Sequence, residues 1–237
     1  MKEKVIGILG GMGPEATLDL FGKIIRNTPA KHDQDHLRVL VDDNPKIPDR
    51  TRAILNGGEN PVPMMVKSGR SLIDAGADFI IVPCITAHFF LNEVSRNLNR
   101  PILSAFDVVA DKIAHDYPEI KSVGLLATSG TIRVGLFQAR LLESGIGTQV
   151  PEEHDQARVM SAIYKIKGDP EGLTRNENKA ILTNVSGHLI ENGCQGIIGG
   201  CTEIPLVLDP GDLPVPLFNP ILILAEAAIK EARQGVM

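Results

Sequence analysis

Cysteine is scarce, with three residues in a chain of 237: Cys84, Cys194 and Cys201. That number cannot build the disulfide framework of a small secreted scaffold, so free thiols in a reducing compartment are expected. There is no Cys-x-x-Cys, and thiols so far apart in sequence do not suit a redox dithiol. Basic residues are not in excess. Lys and Arg number 24 against 29 Asp and Glu, a formal net charge of −5. With no basic cluster, nothing favours a nucleic-acid partner. No apolar run approaches the ~20 residues of a membrane span. Val5 to Leu9 follows Lys2-Glu3-Lys4 but is too short for a secretory leader, and it runs straight into a glycine turn. The expectation is a cytoplasmic protein with no membrane partner. The apolar share of 43% and charged share of 22% are those of an ordinary globular protein, and the length allows one large α/β domain or two smaller lobes.

One stretch occurs twice. Ser71-Leu72-Ile73-Asp74-Ala75-Gly76-Ala77-Asp78-Phe79-Ile80-Ile81-Val82-Pro83-Cys84 is matched by His188-Leu189-Ile190-Glu191-Asn192-Gly193-Cys194-Gln195-Gly196-Ile197-Ile198-Gly199-Gly200-Cys201. Each copy reads as a helix end, a glycine stop, a short buried strand and a cysteine at the strand's C-terminal end. The same offset of 117 pairs Cys84 with Cys201, Gly76 with Gly193, and Lys4-Val5-Ile6-Gly7-Ile8-Leu9 with Lys121-Ser122-Val123-Gly124-Leu125-Leu126. The repeat therefore covers the opening of each half as well as its cysteine segment.

In chain order, Val5 to Leu9 is a strand and Gly10-Gly11-Met12-Gly13 a tight turn. Pro14 and Glu15 suit the first turn of a helix running to about Asn27. Leu37 to Val41 is a second strand, followed by a rigid loop from Asp42 to Thr51 at the end of the sheet where parallel α/β proteins bind ligands. A helix from Pro63 to Ala75, a strand from Phe79 to Val82, a helix after Cys84-Ile85-Thr86-Ala87-His88 to about Asn97 and a strand from Pro101 to Ser104 complete the first half. Pro216-Leu217-Phe218-Asn219 answers that last strand at an offset of 115, as a two-residue deletion would give. Alternating strands and helices imply parallel sheets. The expected fold is α/β, with two pseudo-symmetric lobes, each a short parallel sheet flanked by helices. The first lobe takes residues 1–103 and 218–237, with the C-terminal helix crossing back. The second takes 104–217, and the active site lies between them.

Two thiols at equivalent points of a repeat suit inversion at carbon. One, as thiolate, takes a proton from one face, and the other, as thiol, returns one to the opposite face. Each cysteine precedes a threonine and a possible helix start, an environment expected to favour thiolate. Buried cysteines at strand ends are usually small hydrophobes. The matched position of Cys84 and Cys201 argues against that for this pair, whereas Cys194, whose counterpart is Ala77, reads as structural.

Four ordered stretches carry a resemblance. Gly10-Gly11-Met12-Gly13-Pro14-Glu15-Ala16-Thr17, Asn44-Pro45-Lys46-Ile47-Pro48-Asp49-Arg50-Thr51, Pro83-Cys84-Ile85-Thr86-Ala87-His88 and Gly200-Cys201-Thr202-Glu203 together resemble the aspartate/glutamate racemase family, nearest its aspartate racemase branch. The resemblance implies a cofactor-independent amino-acid racemase, without pyridoxal phosphate or metal, built as two similar α/β lobes and working as a homodimer on a small amino acid. It implies Cys84 and Cys201 as the two catalytic groups, with Arg50 and Lys167 meeting the substrate's side-chain carboxylate, a task suited to a bidentate guanidinium. Met12, Thr86, Thr128, Thr131 and Thr202 sit on strand-end turns whose N–H groups and hydroxyls suit the α-carboxylate. Glu203 is placed to accept from the ammonium or to orient Cys201. His88 is a supporting or packing residue.

The chain departs from the family pattern at two points. Ile85 stands where the family has Asn, and Asn219-Pro220-Ile221 where it has Asp-Pro-Thr. Ile85 replaces an amide able to bond the substrate, so a different or broader amino-acid range is an alternative to aspartate or glutamate. Two other classes compete. Gly11-x-Gly13-x-x-Ala16 after a strand fits a dinucleotide fingerprint, with Asp42 or Asp43 ending the next strand. A non-catalytic protein that binds acidic amino acids is the other.

Overall fold

The computed structural model describes residues 3–169 and 171–234. The chain divides into two compact units, Met1–Val108 with Ile221–Met237, and Val109–Pro220. Each is a parallel sheet with helices, as the alternation of buried runs and amphipathic stretches leads one to expect. No helix among the described residues is long and apolar enough to cross a membrane.

The first unit opens on β1 (Ile6–Gly10), every residue of which is buried. The glycine turn leads into α1 (Pro14–Asn27), with Pro14 in the first turn and Glu15 beside the helix N-terminus. Next come β2 (Val39–Asp43), α2 (Arg50–Leu55), α3 (Val62–Asp74) and β3 (Phe79–Ile81). A 3-10 helix (Thr86–Phe90) and α4 (Leu91–Leu98) follow, and α5 (Ala105–Asp116) starts in this unit and ends in the second. The strand order is β2-β1-β3, all parallel. The second unit holds β4 (Ser122–Leu126), α6 (Ser129–Val134), α7 (Leu136–Glu143), β5 (Gly147–Gln149), α8 (Glu153–Lys167), α9 (Arg175–Glu191), β6 (Ile197–Gly199), α10 (Ile204–Val207) and β7 (Leu217–Phe218). Its order is β5-β4-β6-β7, also parallel. The last helix, α11 (Pro220–Arg233), belongs almost wholly to the first unit, where the Ala232 carbonyl accepts from the Lys4 N–H.

The repeat seen in sequence is present in the hydrogen bonding. Gly7 faces Ile80 and Gly124 faces Ile197, each partner lying 73 residues on. Gly76 and Gly193 both take positive φ, 102° and 94°. After them Ala77 N–H donates to Leu72 and Cys194 N–H to Leu189, the six-residue closure by which a left-handed glycine ends a helix.

Three boundaries differ from the sequence reading, each for a tertiary reason. The fourth strand of the first half is a single bridge, Ile80 to Ile102, because α5 starts at Ala105 and leaves no length for a ladder. The second strand lies at Val39–Asp43 rather than Leu37–Val41. Asp42 and Asp43 pair with Leu9 and Gly10, and on an edge strand their carboxylates stay partly or fully exposed. Arg50 and Thr51 open a helix instead of ending a loop, since Asp49 caps it by accepting from Arg52 N–H at 2.7 Å.

Each unit has its own apolar core, one gathered on Leu9, Met65, Ile80 and Val94, the other on Leu126, Val159, Leu182 and Ile197. Cys84 belongs to the first core and Cys201 to the second.

Candidate active site

In the first unit the site grows from the turn after β1. Gly11 has φ 85°, and a Cβ there would lie 2.2 Å from the Asn44 carbonyl carbon. The turn and the loop from Asn44 to Asp49 are thus pressed backbone to backbone. That loop holds itself by Lys46 N–H to Asn44 Oδ1 (3.1 Å) and Ile47 N–H to the Asn44 carbonyl (3.3 Å). Because the space beside Gly11 is filled by the protein's own chain, this glycine serves packing rather than a pyrophosphate, which counts against the dinucleotide reading.

Arg50 ties the two segments together. Nη1 donates to the carbonyls of Ile47 (3.1 Å) and Pro48 (2.9 Å), and Nη2 to that of Met12 (3.2 Å). Nε is buried and has no partner among the described residues. A guanidinium has five N–H groups. Three are spent on bracing, which leaves Nε–H and one Nη2–H, a pair able to grip a carboxylate. Met12 contributes its main chain, since its side chain is core, 1% exposed.

Cys84 stands after β3, at the entrance to the 3-10 helix, 7% exposed. Its carbonyl accepts from Ala87 N–H at 3.1 Å. Ile85 and Thr86 follow, both buried.

In the second unit the strand ends are likewise close. Gly200 N–H donates to the Leu126 carbonyl at 2.7 Å, and a Cβ on Gly200 would lie 2.6 Å from Leu125 Cδ1. A side chain here would have to displace the Leu125 tip and crowd Ala127 Cβ at 3.1 Å, so glycine suits the close approach of this turn to β4. The Cys201 carbonyl accepts from Ile204 N–H at 3.1 Å, repeating the bond made at Cys84.

The surroundings of the second thiol differ from expectation. Cys201 Sγ donates to Glu203 Oε2 at 2.8 Å, and Thr202 Oγ1 donates to the same oxygen at 2.9 Å. Lys167, the last residue of α8, sits 3.6 Å from Glu203 Oε1. Burial, reinforced by the Glu203 charge and opposed by Lys167, pushes the Cys201 thiol well up. The sequence reading had thiolate favoured here by a helix start. That is corrected: burial of the sulfur, reinforced by the carboxylate beside it, outweighs an α10 of only four residues. Cys201 rests as a thiol. Lys167, expected at the substrate, is found against Glu203.

Thr128 caps α6, its Oγ1 accepting from Thr131 N–H and donating to Thr131 Oγ1, both at 3.1 Å. Gln156 on α8 steadies that turn, its Nε2 donating to the Ala127 carbonyl (3.0 Å) and Ser129 Oγ (3.2 Å). Gln156 was not singled out in the sequence, because a lone glutamine on an amphipathic helix carries no motif. In the first unit Arg50 bonds the Met12 carbonyl, and Met12 and Cys84 share one core. In the second, Cys201, Thr202, Glu203 and Lys167 form one cluster, while Thr128 and Thr131 bond each other.

Removing the Glu203 charge has a definite sign. Glu203→Gln is expected to bring the Cys201 thiol down, because the anion that opposes thiolate is gone and Lys167 is left to favour it. Alkylation of Cys201 by iodoacetamide, followed by peptide mass spectrometry across pH 7–9, should speed up. An unchanged or slower rate would contradict this account of the thiol.

Comparison with known proteins places these features in context. Residues 9–228 match the family Asp/Glu/Hydantoin racemase. The broad specificity amino-acid racemase RacX of Bacillus subtilis is 28% identical over 95% of this chain and 96% of its own. The aspartate racemase of Picrophilus torridus, a solved structure, superposes with a TM-score of 0.85 at 32% identity, covering 97% of this chain and 94% of that one. An aspartate racemase homologue from Pyrococcus horikoshii shares the fold, with a TM-score of 0.76 at 24% identity over 97% of this chain and 99% of that one.

Proposed function

The chain belongs to the Asp/Glu/hydantoin racemase family and so to the isomerases, and from that premise we propose that it inverts the α-carbon of an acidic amino acid with two thiols and no cofactor. The observation that carries this reading is the pair Cys84 and Cys201, each closing the turn after an equivalent strand of a repeated unit, with the same carbonyl bond three residues on. One sulfur removes the α-proton as thiolate, and the other delivers a proton to the opposite face as thiol. In the resting form described above Cys201 is the proton donor, its S–H held by Glu203.

The α-proton of an amino acid is poorly acidic. The carboxylate next to it must therefore be held by preorganised donors, so that charge can move onto it as the proton leaves. Turn N–H groups beside Cys84, Cys201 and Thr128 are assigned this task. Arg50 takes the side-chain carboxylate through Nε–H and its remaining Nη2–H. Lys167 pairs with Glu203 Oε1 at 3.6 Å and so holds the carboxylate beside Cys201. The working unit in this reading is a cytoplasmic homodimer, with the amino acid as its small-molecule partner.

A second reading concerns range rather than reaction. Ile85 directly follows Cys84 and is 2% exposed. An apolar branched side chain there gives no hydrogen bond to a polar substrate and suits a wider set of amino acids. A broad-specificity relative supports it.

The test is proton NMR of L-aspartate with the protein in D₂O. Loss of the α-proton signal with appearance of D-aspartate supports the proposal. No exchange with aspartate but exchange within a panel of amino acids favours the wider range. No exchange with any of them leaves a binding protein. Arg50→Lys is expected to raise KM for aspartate by about 10–10²-fold, the equivalent of one charge-assisted hydrogen bond of ~1.5–3 kcal/mol. If KM holds and only the urea midpoint falls, Arg50 is a loop brace and nothing more.

A further inference from the structure

We propose that His88 is a positioning residue for Cys84, latching the Cys84 carbonyl through its ring and so fixing the peptide that carries the thiol. This rests on the two-thiol reading above, but its geometry is independent of it. His88 Nδ1 lies 2.9 Å from the Cys84 carbonyl oxygen. A carbonyl only accepts, so the ring proton is on Nδ1, and Nε2 is a bare lone pair. Nε2 is buried with no hydrogen-bond partner among the described residues. The ring packs edge-on against Phe106, centroids 5.3 Å apart and planes at 67°.

An unpartnered buried nitrogen works against folding. An apolar side chain would fill this place at lower cost if packing were its only use. The repeat supplies an internal control. The residue equivalent to His88, 117 positions on, is Pro205. Around Cys201 the backbone bond from Ile204 N–H forms at 3.1 Å, matching that from Ala87 N–H at Cys84, with no ring to help it. The turn therefore does not need a histidine in order to form. What the histidine adds is a second donor to one carbonyl, on the side where no carboxylate among the described residues bonds the sulfur. Cys201 is held through its Sγ by Glu203, whereas Cys84, followed by Ile85 and Thr86 in place of Thr202 and Glu203, is held through its main chain.

The latch is permanent. Burial brings His88 down to about 4, against the opposing effects of its bond to Cys84 and the Asp107 charge. The ring stays neutral across the working range and takes no part in proton transfer.

The experiment compares His88→Asn with His88→Gln. The amide nitrogen of Asn falls near the place of Nδ1 and restores the bond, whereas that of Gln reaches toward Nε2 and does not. Two readouts are taken on the full-length protein. The first is the rate of Cys84 alkylation by iodoacetamide against pH, with Cys194 and Cys201 of the same chain as references. The second is kcat and KM for L-aspartate. In the Gln variant the Cys84 rate profile should shift while those of Cys194 and Cys201 hold. Its kcat should fall on the order of 10²-fold with KM little changed, the cost of a reacting group misplaced by about 1 Å. The Asn variant should recover both. Equal losses in the two variants, or a shift at all three cysteines, would reduce His88 to a packing residue, and wild-type behaviour in both would remove the latch altogether. Should no amino acid be racemised, the alkylation profile still decides the point, so the latch and the racemase reading fail separately.

Discussion

Replacing either Cys84 or Cys201 by alanine is expected to abolish racemisation. A positioned acid or base contributes about 10²–10⁴-fold, and inversion needs both groups in each turnover, so either loss should take the reaction below detection. The two variants should differ in what remains. In D₂O, a variant that keeps its base can still wash out the α-hydrogen of one enantiomer with retention, because the same thiol, once its abstracted proton has exchanged with solvent, returns a deuteron to the same face. Cys84→Ala and Cys201→Ala should thus exchange opposite enantiomers slowly and interconvert neither. Proton NMR and a chiral separation on the same sample read both quantities. If a single-cysteine variant still racemises at more than a small fraction of the wild-type rate, the second thiol is not the second acid/base group. Loss of activity accompanied by loss of the folded circular dichroism signal would be uninformative, but alanine at positions 7% and 6% exposed removes only one sulfur from each core.

The second large effect is on stability. Gly11→Ala is expected to destabilise the protein by about 2–5 kcal/mol, combining strain at positive φ with overpacking. An alanine Cβ would sit 2.2–2.4 Å from the backbone atoms of Asn44, and backbone cannot rotate out of the way. The loop from Asn44 to Arg50 must shift, and with it the guanidinium that joins Ile47, Pro48 and Met12. Folding and substrate affinity should therefore fall together. Gly57 separates the two contributions. It also has positive φ, 61°, but a Cβ there meets nothing within 4 Å. Gly57→Ala should cost only the conformational part, about 1–2 kcal/mol. Urea denaturation of the three proteins gives the comparison. A Gly11→Ala midpoint no lower than that of Gly57→Ala would mean the turn and the loop are not pressed together as described.

The two glycines illustrate which features can be read from local pattern. A glycine after a helical run, followed by a buried apolar run, is enough to mark the helix stop at Gly76 and again at Gly193, because positive φ is a property of one residue and its neighbours. The strands, their parallel arrangement and the internal repeat were legible for the same reason. They are written in periodicity and spacing, and the repeat doubles the signal. Cys84 and Cys201 stood out because each closes one copy.

What depended on residues distant in sequence was not legible. The pairing of Asp42 and Asp43 with β1 goes against their polarity, and only the neighbouring strand makes it favourable. The bridge at Ile102 is short because α5 begins where it does. Arg50 was identified by its motif, but the division of its donors between three carbonyls and a remaining pair follows from where the Gly11 turn lies. Cys201 and Glu203 are two residues apart in every conformation the chain can take. Whether the carboxylate faces the sulfur, with Lys167 behind it, is settled by burial and by the end of α8. In this protein, short-range chemistry determined the strands, the turns and the place of each thiol. Burial and long-range packing determined the protonation of Cys201 and the support of both thiols, because desolvation and charge pairing exist only once the chain has closed around them.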